Sequence, residues 1–200
     1  MAEDFKVKLI GNISGLSVIF DAMPQIGVHH TAKYSPIDPS HLIGSYYVYD
    51  SSPSSTYSIS DIKLVSRNPK EAGQNLKRIL TLKGWTKSYF GKTDNFGTNT
   101  QDDLSKWLGA PPEVLTFSAY STGDSRGHIY NIPVVLSSLD INYPNDVDYI
   151  FTASDTGDKL NGTPFPSLMT ISLSLNEQHS AQDYESFNLH KYRNGILDNF

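Results

Sequence analysis

The residues able to ligate a metal or move protons are six histidines and 21 carboxylates, with no cysteine beside them. His29 and His30 are adjacent, so in a strand they point to opposite faces and cannot readily share a metal. His41, His128, His179 and His190 stand alone and read as hydrogen-bonding loop or interface histidines. Asn145-Asp146-Val147-Asp148 alternates oxygen ligands like half a calcium loop, but the closing Glu of that loop is missing. It reads as a solvated turn after Tyr143-Pro144, in which Asn and Asp satisfy local backbone N–H groups. The sequence contains no Gly-rich phosphate loop, no GxSxG elbow and no HExxH. Paired carboxylates for glycoside hydrolysis depend on spatial separation, and nothing singles out a pair. Tyr46, Tyr47 and Tyr49 could stack on sugar rings, although strand packing or a subunit interface is the commoner use of such residues. The expectation is a protein that is not an enzyme, with no cofactor and no metal.

Composition narrows the partners. A formal net charge of -5 argues against wrapping nucleic acid through a basic face. The missing cysteines remove disulfides, thiolate nucleophiles and Cys-zinc sites together, which suits assembly in a reducing cytoplasm. MAEDFKVKLI lacks the basic and then apolar pattern of a secretory leader, so the glycosylation patterns at Asn12-Ile13-Ser14 and Asn161-Gly162-Thr163 are idle. No apolar run approaches the roughly 20 residues that cross a bilayer, so a soluble chain with no membrane partner is expected. The length of 200 residues and 38% hydrophobic content fit a single domain, 1–200, with a substantial core.

The elements follow from periodicity. FKVKLIGNISGLSVIFDAM reads as two short strands joined near Gly11-Asn12, and 24–44 as a loop rich in Pro, His and Gly. SYYVYD (45–50) and TYSISDIKLVSR (56–67) read as strands. In the second, Tyr57, Ile59 and Val65 fall on one face and Ile62 and Leu64 on the other, as if both faces were covered. Asn68 as N-cap, Pro69 at the first helical position and Glu71 three residues after the cap start a helix over 69–82. Ala72, Leu76, Ile79 and Leu80 make its apolar stripe, and Gly84-Trp85 ends it. Residues 86–127 form an irregular excursion holding a short helix at about 101–108 and a strand at 113–121. The chain then returns to strands through HIYNIPVVLSSLDINY and TPFPSLMTISLSLNE.

The last of these strands has the cleanest alternation in the chain. Met169, Ile171, Leu173 and Leu175 fall on one face, and Thr170, Ser172, Ser174 and Asn176 on the other. One face must enter a core, while the other carries only hydroxyls and an amide and meets water or a polar partner. The expected fold class is mainly β (α+β), a sandwich or barrel with one sheet-packing helix.

The joint order of residues resembles a known family. Pro24, Tyr34, His41, Gly44, Tyr49, Val65-Ser66-Arg67, Glu71-Ala72, Asn75-Leu76 and Trp85 match its first half. Leu139-Asp140-Ile141, Tyr143-Pro144, Asp146-Val147-Asp148-Tyr149, Pro164-Phe165-Pro166, Leu175 through Glu177 and His179-Ser180 match its second. Over about 18–85 and 129–197 the chain resembles the tail-tube fold of T-even-like contractile-phage baseplate tube proteins, the tail tube initiator and the baseplate tail tube cap. It departs from them at Ser51–Thr56, where small residues replace an Arg-containing turn, and in being shorter.

The resemblance implies a homo-hexamer whose strands close a shared β-barrel ring around a lumen through which DNA only passes. Thr170, Ser172, Ser174 and Asn176 would then face the lumen. Tyr89, Phe90, Lys92, Asp94 and Phe96 would lie in the loop that reaches partners. Those partners would be the tail tube protein, a second baseplate hub ring, the tape measure protein and the sheath. The location implied is the virion, at the baseplate–tube junction. Two readings compete: the major tail tube subunit, and a carbohydrate-binding β-sandwich of the tail tip.

Overall fold

The computed structural model of the chain describes residues 6–41, 43–88, 109–120, 128–153 and 160–197. It is a mainly β structure built on one antiparallel sheet with few helices. The strands are β1 (Val7–Gly11), β2 (Ser17–Phe20), β3 (Gln25–His29), β4 (Lys33–Ile37), β5 (Tyr46–Ser51), β6 (Thr56–Val65), β7 (Leu115–Ala119), β8 (Ile129–Asn142), β9 (Tyr149–Phe151), β10 (Pro164–Pro166) and β11 (Leu168–Glu177). The helices are α1 (Pro69–Gly84), α2 (Ala181–Ser186) and α3 (Leu189–Arg193). The main sheet is seven-stranded in the order β2-β1-β7-β8-β11-β6-β3. It does not close on itself. β9–β10 and β4–β5 form separate two-stranded sheets.

The loop expected at 24–44 instead contains two strands, β3 and β4. β3 extends the main sheet beside β6, and β4 pairs with β5 to make a hairpin. Its Pro and Gly content hid this, because Pro36 sits in a two-stranded ribbon with an open edge, where a missing N–H costs no ladder bond. The strand at 113–121 exists as β7 and lies in the middle of the sheet, between β1 and β8. The helix expected at 101–108 falls outside the described residues.

β-bulges explain the mixed faces of β6. Opposite β11 its register shifts between Ile171 and Leu173, so that Ile59 and Ile62 both face inward. Asp61 sits in the gap with a φ of 56°, the left-handed conformation that an extra residue adopts in a bulge. Tyr57, Ile59, Ile62 and Leu64 are therefore all buried, while Val65 is 48% exposed. The face that seemed to change was the backbone slipping by one residue. β8 does the same twice, at Asn131 (φ 52°) against β7 and near Ser137 against β11. Its inward residues accordingly switch from Ile129 to Ile132, Val134 and Leu136, and then to Leu139 and Ile141.

α1 covers the apolar face of the sheet. The Asn68 side chain accepts the Glu71 N–H (2.8 Å), and the Glu71 carboxylate accepts the Arg67 N–H (2.8 Å) and the Asn68 side-chain amide (3.0 Å). Ala72, Ile79 and Leu82 enter the common core, with Leu76 half-buried against it. Leu80 does not join them; it is exposed, and Leu82, three residues after Ile79, completes the buried stripe. Asn75 is buried inside the stripe because its amide donates to the Val65 carbonyl (3.0 Å) and to Ser66 Oγ (3.0 Å). That pair of bonds satisfies a polar group that would otherwise be costly to bury. Gly73 allows the close approach of the following segment, for a Cβ there would lie 2.4 Å from the Ala153 carbonyl oxygen.

Candidate functional site: a polar sheet face, open edges and a projecting hairpin

β11 divides its residues as its alternation requires. Met169, Ile171, Leu173 and Leu175 are buried to 3% exposure or less, and Thr170, Ser172, Ser174 and Asn176 are half-buried on the opposite face. Cross-strand register extends that polar face over its neighbours. Thr170 lies between Asn142 and Lys63, and Ser174 between Ser138 and Ser58. Ser172 stands opposite Asp140, and Asn176 opposite Thr56. Residues directly opposite each other share a face, so hydroxyls and amides run across β8, β11 and β6 with Asp140 and Lys63 as the charges among these positions. The surface can hold water and form weak hydrogen bonds.

The titratable groups fasten structure. Glu177 and His179 are buried at the end of β11, where His179 Nε2 and Glu177 Oε1 lie 2.5 Å apart. Glu177 Oε2 also accepts the Ser55 N–H (3.0 Å), and Ser55 returns its carbonyl to the Glu177 N–H (3.0 Å). The carboxylate thus ties the turn before β6 to the end of β11. His30 Nδ1 and Ser55 Oγ lie 2.8 Å apart at the surface. Glu177 is directed to His179 and to the Ser55 backbone. His190 Nδ1 lies 2.9 Å from the Asn194 amide. Among the described residues, no group of three or more His, Asp or Glu is placed to hold a metal ion.

A cleft of about 460 Å³ opens where β2, β6 and α1 meet, lined by Asp21, Lys63, Arg67, Glu71, Asn75 and Arg78. Arg78 donates to Asp21 (2.7 Å) and to Asn75 Oδ1 (2.9 Å), so the acid and amide on this wall are already engaged. The cleft joins the residues just after β2 to the helix.

Among the described residues, two features have no internal partner surface. β2 and β3 are the edges of the main sheet there, each hydrogen-bonded to one described strand. The β4–β5 hairpin follows directly from β3, and every residue of both its strands is exposed. Register places Tyr34, Pro36, Tyr47 and Tyr49 on one face of it, with Tyr34 and Tyr49 in edge contact at 5.8 Å between centroids. Ile37, Tyr46 and Val48 occupy the other face. A hairpin apolar on both sides cannot be distinguished from a core strand by sequence alone, and only its position in the fold reveals that it projects. Tyr89, Phe90, Lys92, Asp94 and Phe96, the expected partner loop, lie outside the described residues.

No protein-family model matches this chain, and no curated protein matches it in sequence.

Proposed function

We propose that this chain is a structural virion protein of a contractile-tailed phage. In this reading six copies form a ring on the baseplate hub, close a shared β-barrel, and initiate polymerisation of the tail tube. The observation that carries the reading is the seven-stranded sheet with one apolar face under a helix, one hydroxyl-rich face, and both edges unpaired among the described residues. Such a sheet invites closure between copies, because an unpaired strand edge is otherwise a site of uncontrolled association. A Ser/Thr/Asn surface suits a water-filled lumen, and an acidic chain repels passing DNA instead of binding it. The matched residues of the two halves supply the baseplate assignment.

The test is a cryo-EM map of the native particle. Six copies in one ring between hub and tube are expected. Copies along the whole tube would replace the initiator by the major tube subunit. Copies away from the tube axis would favour the carbohydrate-binding reading, for which the exposed tyrosines of β4–β5 are the specific support.

A further inference from the structure

We propose that the cleft between β2, β6 and α1 binds a small molecule bearing an oxyanion, a phosphate or a carboxylate, gripped by Arg67 and Arg78. The site lies within one copy and is independent of the ring.

Strand ends open the cleft. β3 follows β6 only as far as Ser60, whereas β11 follows it to Val65. Lys63, Leu64 and Val65 therefore line the cleft beyond the reach of β3, together with Asp21 and Ala22 after β2 and the early turns of α1. Its volume of about 460 Å³ falls within the range of small-molecule sites, roughly 300–1,000 Å³.

The charges of the lining favour an anion. Lys63, Arg67 and Arg78 stand against two carboxylates, Asp21 and Glu71, so this surface is net positive on a chain of formal net charge -5. Both oxygens of Glu71 serve the helix cap, accepting the Arg67 N–H and the Asn68 amide. Among the described residues, the Arg67 guanidinium has no carboxylate partner. Lys63 lies 3.6 Å from Asp61, but both side chains are more than half exposed, which keeps that pair weak.

Arg78 is already positioned. Asn75 is buried, and with its amide spent on Val65 and Ser66 its Oδ1 holds Arg78 Nη1 at 2.9 Å. The bond from Arg78 to Asp21 leaves from the same Nη1. Nε and Nη2, the edge of a guanidinium that can grip an oxyanion with two bonds, have no acceptor among the described residues. Asp21 is the competitor. Its side chain is 67% exposed, so its pairing with Arg78 is weakened by solvent while its charge repels an incoming anion. Removing that charge should strengthen binding, the reverse of what a ligand-contacting residue does.

The full-length chain is titrated with inorganic phosphate and, separately, with citrate at fixed ionic strength. NMR follows the arginine Nε–H signals and the amides of residues 63–67. Saturable shifts of Arg67 and Arg78 are expected at millimolar concentrations. Saturation by phosphate alone assigns a phosphate-bearing ligand, and saturation by citrate alone a carboxylate-bearing one. Arg67→Gln should weaken binding by about tenfold, and Asp21→Asn should strengthen it several-fold. Arg67 is exposed, so its variant carries the test even where Arg78→Gln fails to fold. Shifts that do not saturate, or that sodium chloride reproduces, overturn the site. Unchanged affinity in Arg67→Gln overturns it too, as does unchanged or weaker binding in Asp21→Asn.

Discussion

Tyr57 of β6 and Phe117 of β7 meet edge to face, their ring centroids 5.5 Å apart, although β8 and β11 lie between their strands. Strands neighbour each other at about 4.8 Å, so a flat sheet would separate them by roughly 14 Å. The sheet must therefore curl around its apolar face, and the bulges at Asp61, Asn131 and Ser137 supply the bends. Phe117 is fully buried in that curl. Phe117→Ala should cost about 3–5 kcal/mol in urea unfolding. A loss below about 1 kcal/mol would mean that the aromatic contact is incidental to the curvature.

The same curl buries Tyr57. Burial, followed by the charges of Glu177 and Tyr192, pushes its pKa well above the ordinary 10.0. A raised folded value means that the neutral phenol stabilises the fold fully below pH 10.0 and loses that contribution as pH rises toward the folded value. Alkaline difference spectroscopy should show Tyr57 silent until the protein unfolds, and Tyr57→Phe should move the alkaline unfolding midpoint upward.

Glu113 is a buried carboxylate at 5% exposure that accepts the N–H groups of Ile13 and Ser14 (2.9 Å each) and the Ser14 hydroxyl (2.6 Å). It caps the β1–β2 turn from nearly a hundred residues away. Glu113→Ala should destabilise by about 1–3 kcal/mol by leaving those donors unsatisfied. Hydrogen exchange at Ile13 and Ser14 should accelerate more than exchange in α1. Uniform acceleration would assign Glu113 a global role instead.

Gly73 and Gly84 test packing against propensity within one helix. Ala is favoured over Gly by about 1 kcal/mol in a helix interior. At Gly73 the added methyl would meet the Ala153 backbone at 2.4 Å, a contact that cannot yield without moving the segment after β9, so Gly73→Ala should be destabilising. At Gly84 nothing lies within 4 Å, and Gly84→Ala should be neutral or mildly stabilising. Thermal unfolding of the two variants decides it; a more stable Gly73→Ala would refute the close approach.

Ser180 and Asp183 form a capping box at the start of α2, and the bonds from the Ser180 hydroxyl and backbone hold the Asp183 carboxyl below its ordinary 3.8. The sign follows from that depression. The cap is complete above pH 3.8 and is lost as pH falls through the lower folded value. NMR titration should find the Ser180 amide shift following Asp183 with a midpoint below 3.8. Asp183→Asn should abolish that inflection without unfolding the sheet.

Much of this was fixed by residue order alone. Period-two alternation identified both faces of β11, and Asn68-Pro69 with Glu71 located the start of α1, because these signals are local and depend on nearby backbone geometry. The mainly β class was also legible. Tertiary structure decided the rest. The parity changes in β6 and β8 came from bulges, which shift the register against a partner strand that the sequence does not name. Glu113 and Glu177 acquired their roles from residues about 100 or more positions away. Tyr46, Tyr47 and Tyr49 read as strand residues in either case. Whether such a strand enters the core or projects from an open edge depends on where the sheet ends, and long-range pairing alone sets that.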